Sequence, residues 1–176
     1  EYALMTSSGS TANLLMIAAM FFTKDESRRL RRGDEIIVPA VSWSTTYFPL
    51  QQFGLKVKFV DIDLDTLNID VTSLDSALTP RTKALFAVNL LGNPNNFDEI
   101  LSIIDDKSIT LLEDNCESLG AKFNKQDAGT FGLMGTFSSF FSHHITTMEG
   151  GCILTDDEEM YHILLSISLP SFHGPS

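Results

Sequence analysis

Apolar and polar positions follow two rhythms along the chain, one typical of helices and one typical of strands. Residues 11–22 are apolar on nearly every face, which predicts a buried helix. Residues 96–107 are amphipathic at helical spacing, whereas residues 56–63 alternate with the period of two that marks a strand. The same patterns predict further strands at 35–40, 82–92, 109–118, 135–142 and 150–157, and further helices at 42–54, 70–78 and 157–168.

The order of these elements predicts the fold class. Helices and apolar strands alternate along the chain, which favours a three-layer α/β/α domain with a mostly parallel sheet. Ligands of such domains bind beyond the carboxyl ends of the strands. The polar residues that follow the strands are therefore the candidates for chemistry.

Composition and charge narrow the class of protein. The chain has 176 residues, of which 43% are hydrophobic and 20% charged, as expected for one globular domain. Its net charge of −11 argues against nucleic acid or an anionic membrane as the main partner. A basic cluster, Arg28, Arg29, Arg31 and Arg32, is the exception, and we expect it to be a solvated helix end.

Cysteine content and hydropathy indicate the compartment. The two cysteines, Cys116 and Cys152, have no CxxC spacing and fit a reducing cytoplasm. The apolar run at 14–22 is too short to cross a bilayer, which takes about 20 residues. No secretory signal opens the sequence, so we expect a cytoplasmic protein without a membrane partner.

Small hydroxyl residues and a glycine precede the first predicted helix. The stretch SSGSTAN (7–13) places Gly9 and Ser10 where a helix begins. A helix N-terminus presents free N–H groups and a positive dipole end, which bind phosphate. The alternative is a plain Ser/Thr N-cap, and the pattern is neither a P-loop nor GxGxxG.

Two further candidates follow predicted strands. Glu113 and Asp114 end the stretch LLED, where a carboxylate is able to pair with a protonated ring nitrogen of a cofactor or simply to cap a loop. Trp43 is the only tryptophan and lies on the turn from a predicted strand into a predicted helix, where it either stacks on a flat ring or belongs to the core.

The fourth candidate is a pair of histidines. His143 and His144 follow a predicted strand and precede a Glu-Gly-Gly turn. Two adjacent histidines without a spaced third ligand make a weak metal site, so we expect no bound metal. An imidazole titrates near neutral pH, which makes either one a candidate general base.

Taken in order, these segments resemble the nucleotide-sugar aminotransferases of the DegT/DnrJ/StrS family, which have the fold type I of pyridoxal-phosphate enzymes. The resemblance covers nearly the whole chain. It implies that SSGSTAN holds the cofactor phosphate, that Trp43 stacks on the pyridine ring and that Asp114 binds the pyridine nitrogen. Glu117 occupies a position that is usually glutamine.

The resemblance also fixes the position of the histidine. The serine of the family's TFS motif, which contacts the phosphate, corresponds to Ser138. Five residues later the family carries the lysine that forms a Schiff base with the cofactor, and Glu149 begins the Glu-Gly-Gly turn six residues after that. His143 stands at the lysine position, and no lysine follows Lys125.

The resemblance implies a reaction in which His143 transfers a proton. Imidazole has no primary amine, so pyridoxamine phosphate rather than pyridoxal phosphate is the expected resting cofactor. The subgroup with this histidine removes the C3 hydroxyl of nucleotide-linked 4-keto-6-deoxy sugars, with glutamate as amino donor, and supplies 3,6-dideoxy sugars for lipopolysaccharide O-antigen. The resemblance further implies a homodimer, since sites in this family form between two subunits.

Several alternatives stay open from the sequence. The sugar nucleotide is GDP-linked or CDP-linked, and the CDP-linked sister subgroup carries an iron–sulfur cluster, whose cysteine pattern is not matched by Cys116 and Cys152. An ordinary sugar aminotransferase is a further possibility, as is an inactive binding or assembly domain. We expect residues 1–176 to be the large, cofactor-binding domain, truncated at both ends, with the small C-terminal domain missing.

Overall fold

The computed structural model describes residues 2–168, apart from the side chain of Asp106. The closing stretch LPSFHGPS at 169–176, which carries our expectation of a cut C-terminus, lies outside the described residues. The helices are α1 Gly9–Ala19, α2 Ser44–Gln52, α3 Val71–Ala77, α4 Phe97–Ile104 and α5 Glu158–Ser168. The strands are β1 Tyr2–Thr6, β2 Glu35–Pro39, β3 Lys56–Val60, β4 Thr82–Val88, β5 Thr110–Asp114, β6 Lys122–Phe123, β7 Gln126–Asp127, β8 Met134–Ser138 and β9 Gly151–Thr155.

Seven of the described strands form one twisted sheet in the order β1-β9-β8-β5-β4-β2-β3. Every neighbouring pair from β8 to β3 is parallel, while β9 runs antiparallel to both β8 and β1. The predicted three-layer domain with a mostly parallel sheet is therefore confirmed. Strands β6 and β7 form a separate two-stranded hairpin.

The two faces of the sheet have separate cores. Along β4, Ala84 and Phe86 pack on the face covered by α1, α2 and α5, while Leu85 and Ala87 pack on the face covered by α3 and α4. The same alternation continues in β5, where Leu112 faces the α1 layer and Leu111 the α4 layer. Because side chains of a strand point alternately to opposite faces, residues 113 and 114 must also point in opposite directions.

Several predicted elements end elsewhere than expected. The predicted strand 82–92 stops at Val88, because the chain turns through a short 3-10 segment in which Leu91 has a φ of 52°. The predicted strand 109–118 stops at Asp114, and α1 starts at Gly9 rather than at residue 11. Strands β1, β6 and β7 were not predicted, since short or polar strands carry little periodic signal.

Three arginines of the basic cluster are exposed and Arg29 is half-buried, but the prediction of a helix end is wrong. The four arginines lie in the loop between α1 and β2, which is held by ion pairs: Arg29 and Arg31 contact Glu26, and Arg28 contacts Asp25 and Asp157. Acidic neighbours of this kind neutralise the cluster locally. Within residues 2–168, no helix has the length and apolarity needed to cross a bilayer.

Candidate functional site

A cavity of about 400 Å³ opens at the carboxyl ends of the parallel strands. Its walls come from the ends of β4, β5 and β8, from the first turns of α1 and α2, and from the loop between β8 and β9. The seven residues that the resemblance assigns to the site line this cavity: Gly9, Ser10, Trp43, Asp114, Glu117, Ser138 and His143. They come from five separate segments of the chain, so the fold has brought them together.

The first turn of α1 forms one wall. Ser8 and Thr11 make a reciprocal capping box, in which the Thr11 N–H donates to Ser8 Oγ at 3.1 Å and the Ser8 N–H donates to Thr11 Oγ1 at 2.9 Å. The motif is therefore an N-cap, and this cap faces the cavity, while phosphate binding there stays a prediction. The N–H groups at the first positions of a helix have no acceptor within the helix, so Gly9 and Ser10 offer donors to an anion.

Glycine is required where this turn meets the strands. A Cβ on Gly9 would lie 2.6 Å from Cys116 Sγ and 2.7 Å from Ser138 Cβ, both too close for non-bonded atoms. A Cβ on Gly151 would lie 2.5 Å from the carbonyl oxygen of Ser8. The start of α1 is thus wedged between β8, β9 and the segment after β5, which places Ser138 beside the helix N-terminus.

Asp114 lies at the floor of the cavity on the α1 side of the sheet. It is 5% exposed, and its Oδ2 accepts hydrogen bonds from Asn13 Nδ2 at 2.8 Å and from Thr46 Oγ1 at 2.9 Å. Its Oδ1 accepts from the Cys116 N–H at 3.1 Å. Burial, together with the charge of Asp114, raises the pKa of the Cys116 thiol well above its ordinary value, so this thiol is neutral.

Glu113, the neighbouring acid, points to the other face and has a structural role. Its Oε1 accepts from the N–H groups of Phe131 and Gly132 at 2.6 and 2.7 Å, and its Oε2 accepts from Gly129 at 2.7 Å. Burial raises the pKa of Glu113, and these three N–H groups work in the opposite direction. The sequence left both acids as candidates. The directions of the side chains show that Asp114 lines the cavity and that Glu113 does not.

Trp43 and Glu117 lie at the rim. Trp43 is 71% exposed at the N-cap of α2, so the alternative that it belongs to the core is wrong. Glu117 Oε2 accepts a hydrogen bond from the Leu91 N–H at 2.9 Å, which ties the segment after β5 to the turn after β4. A flat ring bound in the cavity would therefore lie between the indole of Trp43 at the rim and the carboxylate of Asp114 at the floor of the cavity.

His143 lies in the loop that connects β8 to β9. The loop is folded back by its own hydrogen bonds: the Phe140 N–H donates to Ser138 Oγ at 3.2 Å, and the His143 N–H donates to the Phe140 carbonyl at 2.9 Å. The imidazole packs edge-on against the Phe140 ring, with 6.2 Å between ring centres. His143 lines the cavity together with Glu149, whereas His144 is exposed and does not.

Two buried polar residues of the site were missed by sequence reasoning. Asn13 and Thr46 are fully buried and both donate to Asp114. Asn13 was visible as the single amide within an apolar helix, a position that requires a polar partner. Its partner lies 101 residues away, which the local pattern does not indicate. Within the described part of the chain, no group of three or more His, Cys, Asp or Glu residues has the geometry to hold a metal ion.

Comparison with protein families supports the resemblance seen in the sequence. Residues 1–175 match the model of the DegT/DnrJ/EryC1/StrS aminotransferase family. Over 167 residues the chain is 75% identical to GDP-4-keto-6-deoxy-D-mannose 3-dehydratase of Escherichia coli O55:H7. That match covers 95% of this chain and 42% of the relative, so the chain spans less than half of the relative's length.

Solved structures of similar proteins have the same fold, and two of them contain bound ligands. A histidine-to-asparagine variant of GDP-4-keto-6-deoxymannose-3-dehydratase with bound GDP-perosamine is 74% identical with a TM-score of 0.90, covering 93% of this chain and 42% of that one. A structure of the same kind of enzyme with a trapped PLP-glutamate geminal diamine is 70% identical with a TM-score of 0.91, covering 97% of this chain and 45% of that one.

Proposed function

Because the chain belongs to the DegT/DnrJ/EryC1/StrS aminotransferase family, we propose that residues 1–176 form the cofactor-binding domain of a pyridoxal-phosphate-type enzyme that uses pyridoxamine phosphate to remove the C3 hydroxyl of a nucleotide-linked 4-keto-6-deoxy sugar. One observation carries the choice of reaction. His143 lines the cavity in which Asp114 and the N-terminus of α1 meet, and no lysine among residues 2–168 lines it.

The residues of the cavity fit the cofactor. The N–H groups of Gly9 and Ser10 and the hydroxyl of Ser138 form a cradle for a phosphate, and the close approach at Gly9 leaves no space there for a side chain. The exposed indole of Trp43 offers a stacking face for the ring, and the buried Asp114 carboxylate offers an acceptor for a ring N–H. Glu117 stands beside the ring position as a further polar contact.

His143 is the residue to which we assign proton transfer. The bound cofactor supplies a primary amine that condenses with the C4 ketone of the sugar. Imidazole cannot anchor the cofactor covalently, but it takes up and releases protons near neutral pH. With the cofactor bound, His143 would take up a proton at the cofactor's reactive carbon and return it to the C3 hydroxyl, which would then leave as water.

The products and co-substrate follow from this chemistry. Hydrolysis releases a 3,6-dideoxy-4-keto sugar nucleotide and ammonia, and glutamate returns the amine to the cofactor. The glutamate adduct in a 70% identical structure supports this co-substrate, and the GDP-perosamine in a 74% identical one supports a GDP-linked sugar over a CDP-linked sugar. We place the product in lipopolysaccharide O-antigen synthesis.

We further propose a homodimer in the cytoplasm. Phe141, Ile145 and Met148, which belong to the same β8–β9 loop as His143, are between 60% and 74% exposed. Apolar side chains at the mouth of a site favour cover by another protein surface, and a second copy is the partner that the family implies. The free thiols Cys116 and Cys152 support a reducing compartment. Sedimentation of the purified protein at micromolar concentration tests the dimer, and a monomer at that concentration contradicts it.

A chimeric enzyme tests the reaction. This chain replaces the matching segment of the Escherichia coli relative, and the chimera is incubated with pyridoxamine phosphate, glutamate and GDP-4-keto-6-deoxymannose. We expect ammonia release that requires the sugar. A sugar that gains an amine would show an aminotransferase instead. Turnover of only the CDP-linked analogue would show that the substrate is CDP-linked rather than GDP-linked. The absence of both cofactor binding and turnover would show an inactive domain.

Borohydride reduction tests the role of His143 separately. The purified chain is mixed with pyridoxal phosphate, reduced and digested, and the peptides are weighed. We expect no specific cofactor adduct, since no lysine lines the cavity. A stoichiometric adduct on one lysine would overturn the assignment of His143.

A further inference from the structure

Asp114 is supported by a buried chain of hydrogen bonds that reaches a residue outside the cavity. Thr136, in β8, is fully buried and donates from Oγ1 to Asn13 Oδ1 at 2.7 Å. Asn13, also fully buried, donates from Nδ2 to Asp114 Oδ2 at 2.8 Å. Thr136 does not line the cavity, and its other acceptor, the Glu113 carbonyl, lies farther away at 3.3 Å.

The chemistry of the three groups fixes the direction of this chain. The end of the Asn13 amide that faces the Asp114 carboxylate must be the NH2 group, since a carboxylate accepts hydrogen bonds. The other end is then the carbonyl oxygen, and the Thr136 hydroxyl must donate to it. Without the Thr136 hydroxyl, the outer end of the Asn13 amide, which points away from Asp114, would lose its hydrogen bond in either orientation of the amide. The Asp114 carboxylate and the Thr45 carbonyl, 3.4 Å from Asn13 Nδ2, set the orientation of the amide, and the Thr136 hydroxyl pairs its outer end and so holds Asn13 in place against Asp114.

We propose that Thr136 and Asn13 are positioning residues that aim the Asp114 carboxylate at the ring nitrogen of the cofactor. The inference rests on the proposed function, and it adds a dependence that the cavity residues alone do not show. Binding of the ring nitrogen depends on a threonine that does not line the cavity and that reaches Asp114 through Asn13. Burial makes the dependence strong, because no water replaces a lost partner there.

The test compares two variants at position 136. Trp43 is the only tryptophan and lines the cavity, so its fluorescence reports binding of pyridoxamine phosphate to the purified chain. Thr136→Val keeps the shape but removes the hydroxyl, and we expect binding to weaken about tenfold, as for one lost buried hydrogen bond. Thr136→Ser keeps the hydroxyl and should restore most of the affinity. Thr110→Val, at the far end of β5 and outside the cavity, is the matched control and should bind as the unchanged chain does.

A cofactor analogue separates positioning from a general loss of structure. In 1-deazapyridoxamine phosphate a carbon replaces the ring nitrogen, so its binding does not use the aimed carboxylate. We expect Thr136→Val to change the affinity for this analogue by less than about twofold. If Thr136→Val does not fold in urea titration, Thr136→Ala is measured in the same way, with the same expected selectivity.

The outcomes are distinct. Equal loss of affinity for both ligands would show a merely structural role and overturn the inference, as would Thr136→Val binding like Thr136→Ser. In both cases the proposed function stands. If the unchanged chain does not bind pyridoxamine phosphate at all, the proposed function fails and the inference fails with it.

Discussion

Two pairs of adjacent residues in this site have different environments. Asp114 points into the cavity while Glu113 points to the opposite face of the sheet, where three backbone N–H groups hold it. His143 lines the cavity while His144 is exposed outside it. In both pairs the direction of the side chain, rather than the residue type, decides which residue lines the cavity. The second residue of each pair therefore serves as a control for substitutions of the first.

The histidine pair gives the first prediction. Replacing His143 by Ala in the chimera should lower sugar-dependent ammonia release by roughly 10²–10⁴-fold, which is the usual effect of losing a general acid–base group. Cofactor affinity should change little, because phosphate, ring stacking and Asp114 remain. The same substitution at His144 should leave the rate near that of the unchanged chimera. Similar losses at both positions would contradict the role of His143.

The acid pair gives the second prediction. Glu113→Gln should lower the free energy of unfolding by about 2–4 kcal/mol. In either orientation, the NH2 group of the new amide would face a backbone N–H, so two donors would meet without an acceptor. The substitution should leave the affinity for pyridoxamine phosphate within about twofold. Asp114→Asn should instead weaken that affinity by about tenfold or more, since it removes the charged acceptor. Urea unfolding and Trp43 fluorescence measure the two quantities, and an equal loss of affinity in both variants would contradict the division of roles.

At the scale of the element, the start of α1 carries the proposed phosphate site. The capping box of Ser8 and Thr11 fixes where the helix begins, and Gly9 lets Ser138 and Cys116 approach the helix. Asn13, one turn further, reaches Asp114. One helix therefore contributes both to the phosphate cradle and to the ring contact.

Gly9→Ala is the prediction at this scale. The added methyl group would lie 2.6 Å from Cys116 Sγ, so the helix or the strands must move by several tenths of an ångström. We expect pyridoxamine phosphate to bind at least about tenfold more weakly, because the phosphate donors shift. Ser102→Ala, in an exposed residue of α4 outside the cavity, should have no such effect. Unchanged binding in Gly9→Ala, measured by Trp43 fluorescence, would contradict the site.

At the scale of the molecule, the cavity joins parts of the chain that are far apart in sequence. Its walls extend from Ser8 to Glu149 and include the ends of three parallel strands. A ligand that contacts all of them binds only the folded chain. Binding is therefore linked to the stability of the whole domain.

This linkage gives the fourth prediction. Pyridoxamine phosphate at a hundredfold excess over its Kd should raise the free energy of unfolding by about 2.7 kcal/mol. Inorganic phosphate, which matches only the start of α1, should stabilise the chain less at the same concentration. Urea titrations with each ligand measure the difference, and equal stabilisation by the two would show that the ring contacts contribute nothing.

The sequence by itself predicted the sheet class, the five described α-helices and seven of the sixteen residues that line the cavity. Long periodic segments such as residues 96–107 carry that information locally, and the spacing from Ser138 through His143 to Glu149 carries the resemblance to the family. Two strands were predicted to end at 92 and 118, whereas they end at Val88 and Asp114, because the point where a strand stops pairing depends on its neighbours in the sheet and not on the local pattern.

Only the tertiary structure decided which way each polar side chain points and what it meets. Periodicity states that residues 113 and 114 face opposite sides, but the layer that lies on each side depends on the order of the strands. The support of Asp114 by Asn13 and Thr136 joins three elements across more than a hundred residues of sequence. A buried hydrogen bond requires atoms to lie within about 3 Å in space, and separation along the chain does not determine that distance.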